Sequence, residues 1–125
     1  MHEMIGRTVA VLGASDNPER YAFKAAARLA EKGFRVIPVN PARAAALGPD
    51  ARNSLSEITE AVDTLTIYVG PARSSAAAPE IVALKPSRVV LNPGTENPEL
   101  EVMLEAAGIP WLHACTLVLL ATDRF

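Results

Sequence analysis

Gly13-Ala-Ser-Asp-Asn-Pro18 stands between the β-rich apolar run Thr8-Val-Ala-Val-Leu12 and a helical pattern that begins near Tyr21. That is the layout of a phosphate-binding strand, turn and helix. A strand that ends on Gly13 can turn sharply with no Cβ in the way. The helix that follows aims unpaired N–H groups at the space above the strand, where anions collect. Three further loops close later apolar runs: Asn40-Pro-Ala-Arg43, Gly70-Pro-Ala-Arg73 and Asn92-Pro-Gly94. Taken singly, Asn-Pro and Gly-Pro are ordinary turn punctuation. Brought to one edge, with Arg20 and Lys24 near the first helix, they offer several cations to a ligand carrying more than one phosphate.

Other chemistry is weaker. The turn after Leu12 lacks the G-x-G-x-x-G spacing, and the second strand ends in Pro38-Val-Asn-Pro41 where an acidic residue would hold a nicotinamide dinucleotide's ribose, so hydride transfer is disfavoured. No Gly-Lys-Ser or Gly-Lys-Thr follows the turn, which removes the usual ATPase and kinase reading. His113 falls at the end of a strand, where a base or phosphate contact competes with the commoner hydrogen-bonded structural histidine, and no orienting partner is evident. Cys115 reads as a small buried hydrophobe before it reads as a thiol poised for a mixed disulfide. His2 falls in the N-terminal tail. Asp16, Glu19 and Glu96 are the carboxylates near these loops, with Asp16 and Asn97 better suited to capping helices than to acid catalysis. No carboxylate pair or Ser-His-Asp set emerges.

The elements that would position these loops alternate along the chain. Thr8 to Leu12 is continuously apolar, as a strand buried on both faces must be. A helix from Tyr21 to Lys32 places Phe23, Ala26, Ala27 and Ala30 on one stripe and ends at Gly33. Phe34 to Val39 is the second strand, followed by a short helix over Ala42 to Leu47, and Ser54-Leu-Ser-Glu57 forms a capping box. Thr64 to Val69 is strand three. A helix capped by Ser74 or Ser75 runs to Leu84, Arg88 to Leu91 is strand four, and Asn97-Pro98-Glu99 opens a helix with Leu100, Met103, Leu104 and Ala107 as its core stripe. Ile109 to His113 is strand five, and Thr116 to Leu120 is a final short element. Five strands separated by helices predict parallel pairing through right-handed crossovers: a three-layer, Rossmann-like open α/β sheet with helices on both faces and its ligand above the carboxyl ends.

Composition narrows the partners. The 125 residues are half apolar, which predicts one domain over 1–125 with a real core. Twelve Lys and Arg face fourteen Asp and Glu, and aromatic residues are 5%, so neither a basic track nor a stacking surface for nucleic acid is present. No apolar run reaches the roughly 20 residues of a membrane span. The single Cys115 and a start without signal-peptide character predict a cytoplasmic protein. Homo-oligomerisation and an unidentified protein partner stay open.

Val9-Ala-Val-Leu-Gly-Ala-Ser-Asp-Asn-Pro-Glu-Arg20 and Gly33-Phe-Arg-Val-Ile-Pro-Val-Asn-Pro41 resemble the coenzyme A-binding domain of the succinyl-CoA synthetase α-subunit type, and above all the small stand-alone CoA-binding proteins of bacteria and archaea. The likeness covers nearly the whole chain. It implies that the strand-one loop holds the CoA phosphates, that the Val-Asn-Pro loop packs at the adenine-ribose end, and that the loops after strands three and four complete the cleft. On this chain those positions are Gly13, Ala14, Ser15, Asn17, Val39, Asn40, Pro41, Tyr68, Val69, Pro71, Asn92, Pro93 and Gly94. Arg43 falls where the synthetase subunit has a basic residue near the nucleotide phosphate, while Arg20 and Lys24 are further phosphate candidates. The chain departs from the synthetase at Gly70, commonly Pro, and at Asn92-Pro93, which replaces a Thr-Glu pair. The synthetase's phosphohistidine domain has no counterpart in these 125 residues. The resemblance therefore implies binding of coenzyme A or an acyl-CoA with no catalysis of its own. The alternatives are an NAD(P)- or nucleotide-dependent enzyme with an atypical phosphate loop, and a ligand-sensing interaction module.

Overall fold

A computed structural model of the chain describes residues 7–41 and 43–125; His2 and Ala42, the first residue of the expected 42–47 helix, lie outside the described residues. The strands are β1 (Thr8–Leu12), β2 (Arg35–Val39), β3 (Thr64–Ile67), β4 (Arg88–Leu91) and β5 (Trp111–His113). Between and after them lie α1 (Tyr21–Glu31), α2 (Ala44–Leu47), a 3-10 turn at Leu55–Glu57, α3 (Pro71–Ala76), α4 (Ala78–Leu84), α5 (Pro98–Ala106) and α6 (Thr116–Ala121). All strand pairs are parallel, in the order β2-β1-β3-β4-β5. This is the expected Rossmann-like α/β sheet, and the chain turns outward to β2 and then back across β1 to β3, so the crevice opens between the carboxyl ends of β1 and β3.

The alternation along β1 shows how the layers form. Val9 and Val11 pack with Ala22, Leu29, Phe34 and Leu120 on the α1 and α6 side. Ala10 and Leu12 face the other way, into a core with Leu65, Ile81, Leu100 and Leu104. All five β1 residues are buried, as the unbroken run of a strand covered on both faces requires. Leu12 stands level with Val39 on one neighbour and Ile67 on the other. Three loops therefore leave the sheet at the same height.

Several boundaries and faces differ from expectation, each for a physical reason. The buried stripe of α1 is Ala22, Ala25 and Leu29, while Phe23, Ala27 and Ala30 are exposed. So many apolar residues on one helix leave its phase undetermined until Leu29 finds the core. Likewise α5 buries Leu100, Glu101 and Leu104, with Met103 and Ala107 exposed. The helix expected to begin at Ser74 or Ser75 is two helices: α3 starts with Pro71 at its first position behind Gly70, and α4 restarts after Ala77 because Pro79 cannot continue the hydrogen-bond ladder. The Ser54–Glu57 capping box is displaced by one residue, since Glu57 Oε1 accepts from the N–H of Asn53 at 2.9 Å and Ser54 caps nothing. Phe34 closes α1, donating its N–H to Leu29 at 3.1 Å, and β2 begins one residue later. β3 ends at Ile67 and β5 starts at Trp111, so Tyr68, Val69 and Ile109 belong to connections.

Candidate ligand-binding cleft

The loop after β1 is built by its neighbours. Gly13 has φ +91°, and a Cβ there would lie 2.7 Å from Val69 Cγ1 and 3.1 Å from the Tyr68 carbonyl. Glycine is thus demanded by the packing of the adjacent strand end before any ligand is considered. The N–H groups of Gly13 and Ala14 both donate to the Val39 carbonyl, at 2.9 and 3.2 Å, and the Asn40 amide donates to the Ala14 carbonyl at 2.6 Å. These bonds lock the β1 and β2 loops together. Beyond them the chain forms two local turns: Ser15 Oγ accepts from the N–H of Asn17 at 3.0 Å, and Asn17 Oδ1 accepts from that of Glu19 at 2.9 Å. Arg20 is the N-cap of α1 and supplies no capping side chain. The first turn of this 11-residue helix has no side-chain cap, and Glu19, Arg20, Tyr21 and Ala22 form part of the cleft wall.

The cleft has two adjacent compartments that share part of their wall. One, of about 800 Å³, is walled mainly by polar groups: the 13–17 turn, Arg20, Arg43, Tyr68, and Pro93 to Thr95. The other, of about 330 Å³, is mainly apolar, between Leu12, Val39 and Pro41 on one side and Leu55, Ala76 and Ala77 on the other. Gly13, Asn40, Val69 and Arg73 border both. Across the mouth of the polar compartment Arg43 hydrogen-bonds Asp16, joining the β2 loop to the β1 loop. This contact holds the Asp16 carboxyl below the ordinary carboxylate range.

Most of the residues expected from sequence meet here, and some do not. Ala14, Ser15, Asn17, Arg20, Arg43, Tyr68, Pro93 and Gly94 line the polar compartment, and Val39 and Pro41 line the apolar one. Lys24 lies outside both, its ammonium 5.5 Å from the centre of the Tyr21 ring, and Pro71 serves to start α3. Asn92 is 1% exposed, and its side chain is consumed within the fold. Its amide donates to Thr66 Oγ1 at 2.6 Å and to the Ile67 carbonyl at 2.9 Å. The Tyr68 hydroxyl is buried close to Thr66 and Thr116, and burial pushes its pKa up to about 12. Thr95, Leu55 and Arg73 were not among the expected contacts. Arg73 was visible only as one cation of a loop, because its place depends on α3 beginning at Pro71.

His113 and Cys115 line neither compartment. His113 ends β5, two strands from the crevice, and has the orienting partner that the sequence did not reveal: Nε2 lies 2.7 Å from Glu101 Oε2. That carboxylate oxygen also accepts from the N–H of Asn97 at 3.1 Å, which explains how a glutamate comes to be buried on α5. Asn97 caps α5 by accepting from the N–H of Leu100 at 3.2 Å. Among the described residues no His, Cys, Asp and Glu cluster could hold a metal, and no helix is long and apolar enough to cross a membrane.

A family profile described as a CoA binding domain matches residues 7–121. The chain belongs to this CoA-binding domain family. The match takes in every strand and both compartments of the cleft, in agreement with the resemblance carried by the 9–20 and 33–41 segments. The uncharacterized protein YneT of Bacillus subtilis (strain 168) is 29% identical over 102 residues, which span 82% of this chain and 76% of YneT. A protein from Thermus thermophilus, cell-free ID.343, is similar in structure, with a TM-score of 0.84 and 38% identity over 96% of this chain and 91% of that one. The crystal structure of another uncharacterized protein has a TM-score of 0.86 and 39% identity over 96% and 98% of the two chains.

Proposed function

We propose that this CoA-binding domain protein binds coenzyme A or an acyl thioester of it, as a binding protein without catalysis of its own. The observation that carries the reading is the pair of adjacent compartments of opposite polarity at the β1 and β3 carboxyl ends. A ligand with a diphosphate next to an adenosine needs that arrangement. The uncapped first turn of α1, with Arg20, suits the diphosphate. The slot between Val39, Pro41, Leu55 and Ala77 suits the adenine ring. At the end of β2, where a nicotinamide dinucleotide would meet an acid, Asn40 stands with its amide donated to Ala14. Asp16, in the mouth of the polar compartment, is held ionised by Arg43, which suits it to pairing a cation rather than delivering a proton at neutral pH.

Native mass spectrometry of the purified protein, incubated with coenzyme A, acetyl-CoA and NAD together and then desalted, tests the reading. Retention of coenzyme A or acetyl-CoA at one per chain is expected. Retention of NAD alone would overturn it.

A further inference from the structure

The junction of the two compartments carries one charge. Of the four residues bordering both, Gly13 spends its N–H on Val39, Val69 is apolar, and the Asn40 amide is donated to Ala14. Arg73 is the fourth. Its backbone is fixed in the first turns of α3, the N–H donating to Gly70 at 3.1 Å and the carbonyl accepting from Ala77 at 3.0 Å. Its exposed guanidinium enters no hydrogen bond or ion pair among the described residues. The other cations of the cleft differ in position: Arg20 is equally unpaired among the described residues but does not border the apolar compartment. Arg43 is held by Asp16 and lines the polar compartment only. Glu80 borders the apolar compartment but not the polar one, so an anion is better met beside Arg73 than within the apolar compartment.

A ligand with its diphosphate in one compartment and its base in the other must pass its ribose through this junction. A phosphate on that ribose carries about two negative charges at neutral pH. It would be met there by a planar, always-charged fork that has no other partner to give up. We propose that Arg73 is the specificity residue that recognises the ribose 3′-phosphate of the ligand, so that the protein distinguishes coenzyme A from 3′-dephospho-CoA through this side chain. The inference rests on the coenzyme A reading above and assigns to Arg73 the role that the resemblance alone would give to Arg43.

Isothermal titration of the full chain with coenzyme A and with 3′-dephospho-CoA tests it on the unaltered protein and on Arg73→Ala, Arg73→Lys and Arg43→Ala, with circular dichroism to show each variant folded. The unaltered protein should bind coenzyme A at least about tenfold more tightly than 3′-dephospho-CoA, the worth of one charge-assisted contact. Arg73→Ala should erase that preference while leaving 3′-dephospho-CoA within about twofold, and Arg73→Lys should keep part of it. Arg43→Ala should retain the preference. The inference fails if Arg73→Ala weakens both ligands equally or neither, or if Arg43→Ala is the variant that erases the preference. If the unaltered protein binds neither ligand, the coenzyme A reading falls first and the Arg73 assignment falls with it.

Discussion

Asn92 Oδ1 accepts the N–H of Thr116 at 2.8 Å, so that the loop after β4 caps the first turn of α6. The same side chain donates to Thr66 Oγ1 and the Ile67 carbonyl, and Thr66 Oγ1 lies 2.8 Å from Thr116 Oγ1. One buried amide thus ties β3, β4 and α6 together beneath the cleft. Asn92, expected from the sequence to touch ligand, has its side chain committed to the fold instead. Asn92→Ala strands the Thr116 N–H and the Ile67 carbonyl, and should cost about 3 kcal/mol of stability in urea unfolding. A loss of ligand affinity with unchanged stability would contradict this role.

Gly13 and Gly94 both line the polar compartment with positive φ, +91° and +89°, yet only Gly13 is crowded. A Cβ at Gly94 meets nothing within 4 Å, whereas one at Gly13 strikes Val69 and Tyr68. Gly94→Ala should cost about 1 kcal/mol from backbone strain alone. Gly13→Ala should cost at least about 2 kcal/mol, adding overpacking to the same strain. Equal melting temperatures for the two variants would show that the β1 turn relaxes freely.

The sheet, its parallel pairing and the common height of its loops were legible in the sequence because strands buried on both faces leave continuous apolar runs, as Thr8 to Leu12 does. Helix faces were less so. On α1 the run Ala25-Ala-Ala-Arg-Leu29 permits several stripes, and the choice is made by packing of Leu29 and Ala22 beside Val9 and Val11. On α5 the buried Glu101 depends on His113, twelve positions away, a contact with no local signature. Site loops were recognisable by their glycines, asparagines and prolines. The roles inside them were divided by tertiary contacts: Asn92 went to the fold, Arg43 to Asp16, and Arg73 to the junction.

The Asp16 carboxyl should titrate below the ordinary carboxylate range, because Arg43 hydrogen-bonds its ionised form. A folded-state value that is depressed means that the pair is present above the unfolded carboxylate value and is lost as pH falls through the lower, folded one. In Arg43→Ala the inflection should move up toward the ordinary range. Side-chain carbon shifts of Asp16, followed by NMR from neutral to strongly acidic pH, read it directly. Coincident curves for the two proteins would mean that the pair does not persist in solution.

Among the described residues no group completes a well-formed hydrogen bond to the buried Tyr68 hydroxyl, and its ionisation is pushed up to about 12, chiefly by burial. Tyr68→Phe removes an unpaired polar group and should raise stability by about 1 kcal/mol at neutral pH. The sign with pH follows from the raised value. An unfolded tyrosine loses its proton near pH 10, earlier than the folded one, so stability falls as pH rises from about 10 toward 12. Urea midpoints at pH 8 and pH 11 should diverge further for the unaltered protein than for Tyr68→Phe. Tyr21 is exposed and common to both proteins, so it cancels.

Coenzyme A is proposed to occupy the adjoining polar and apolar compartments. Isothermal titration of the full chain with coenzyme A and with NAD, under identical buffer and salt, tests this most directly. One coenzyme A per chain should bind saturably, and at about 100 times its dissociation constant should add roughly 2.7 kcal/mol to folding stability, while millimolar NAD gives no heat. Saturable binding of NAD with none of coenzyme A would contradict the account.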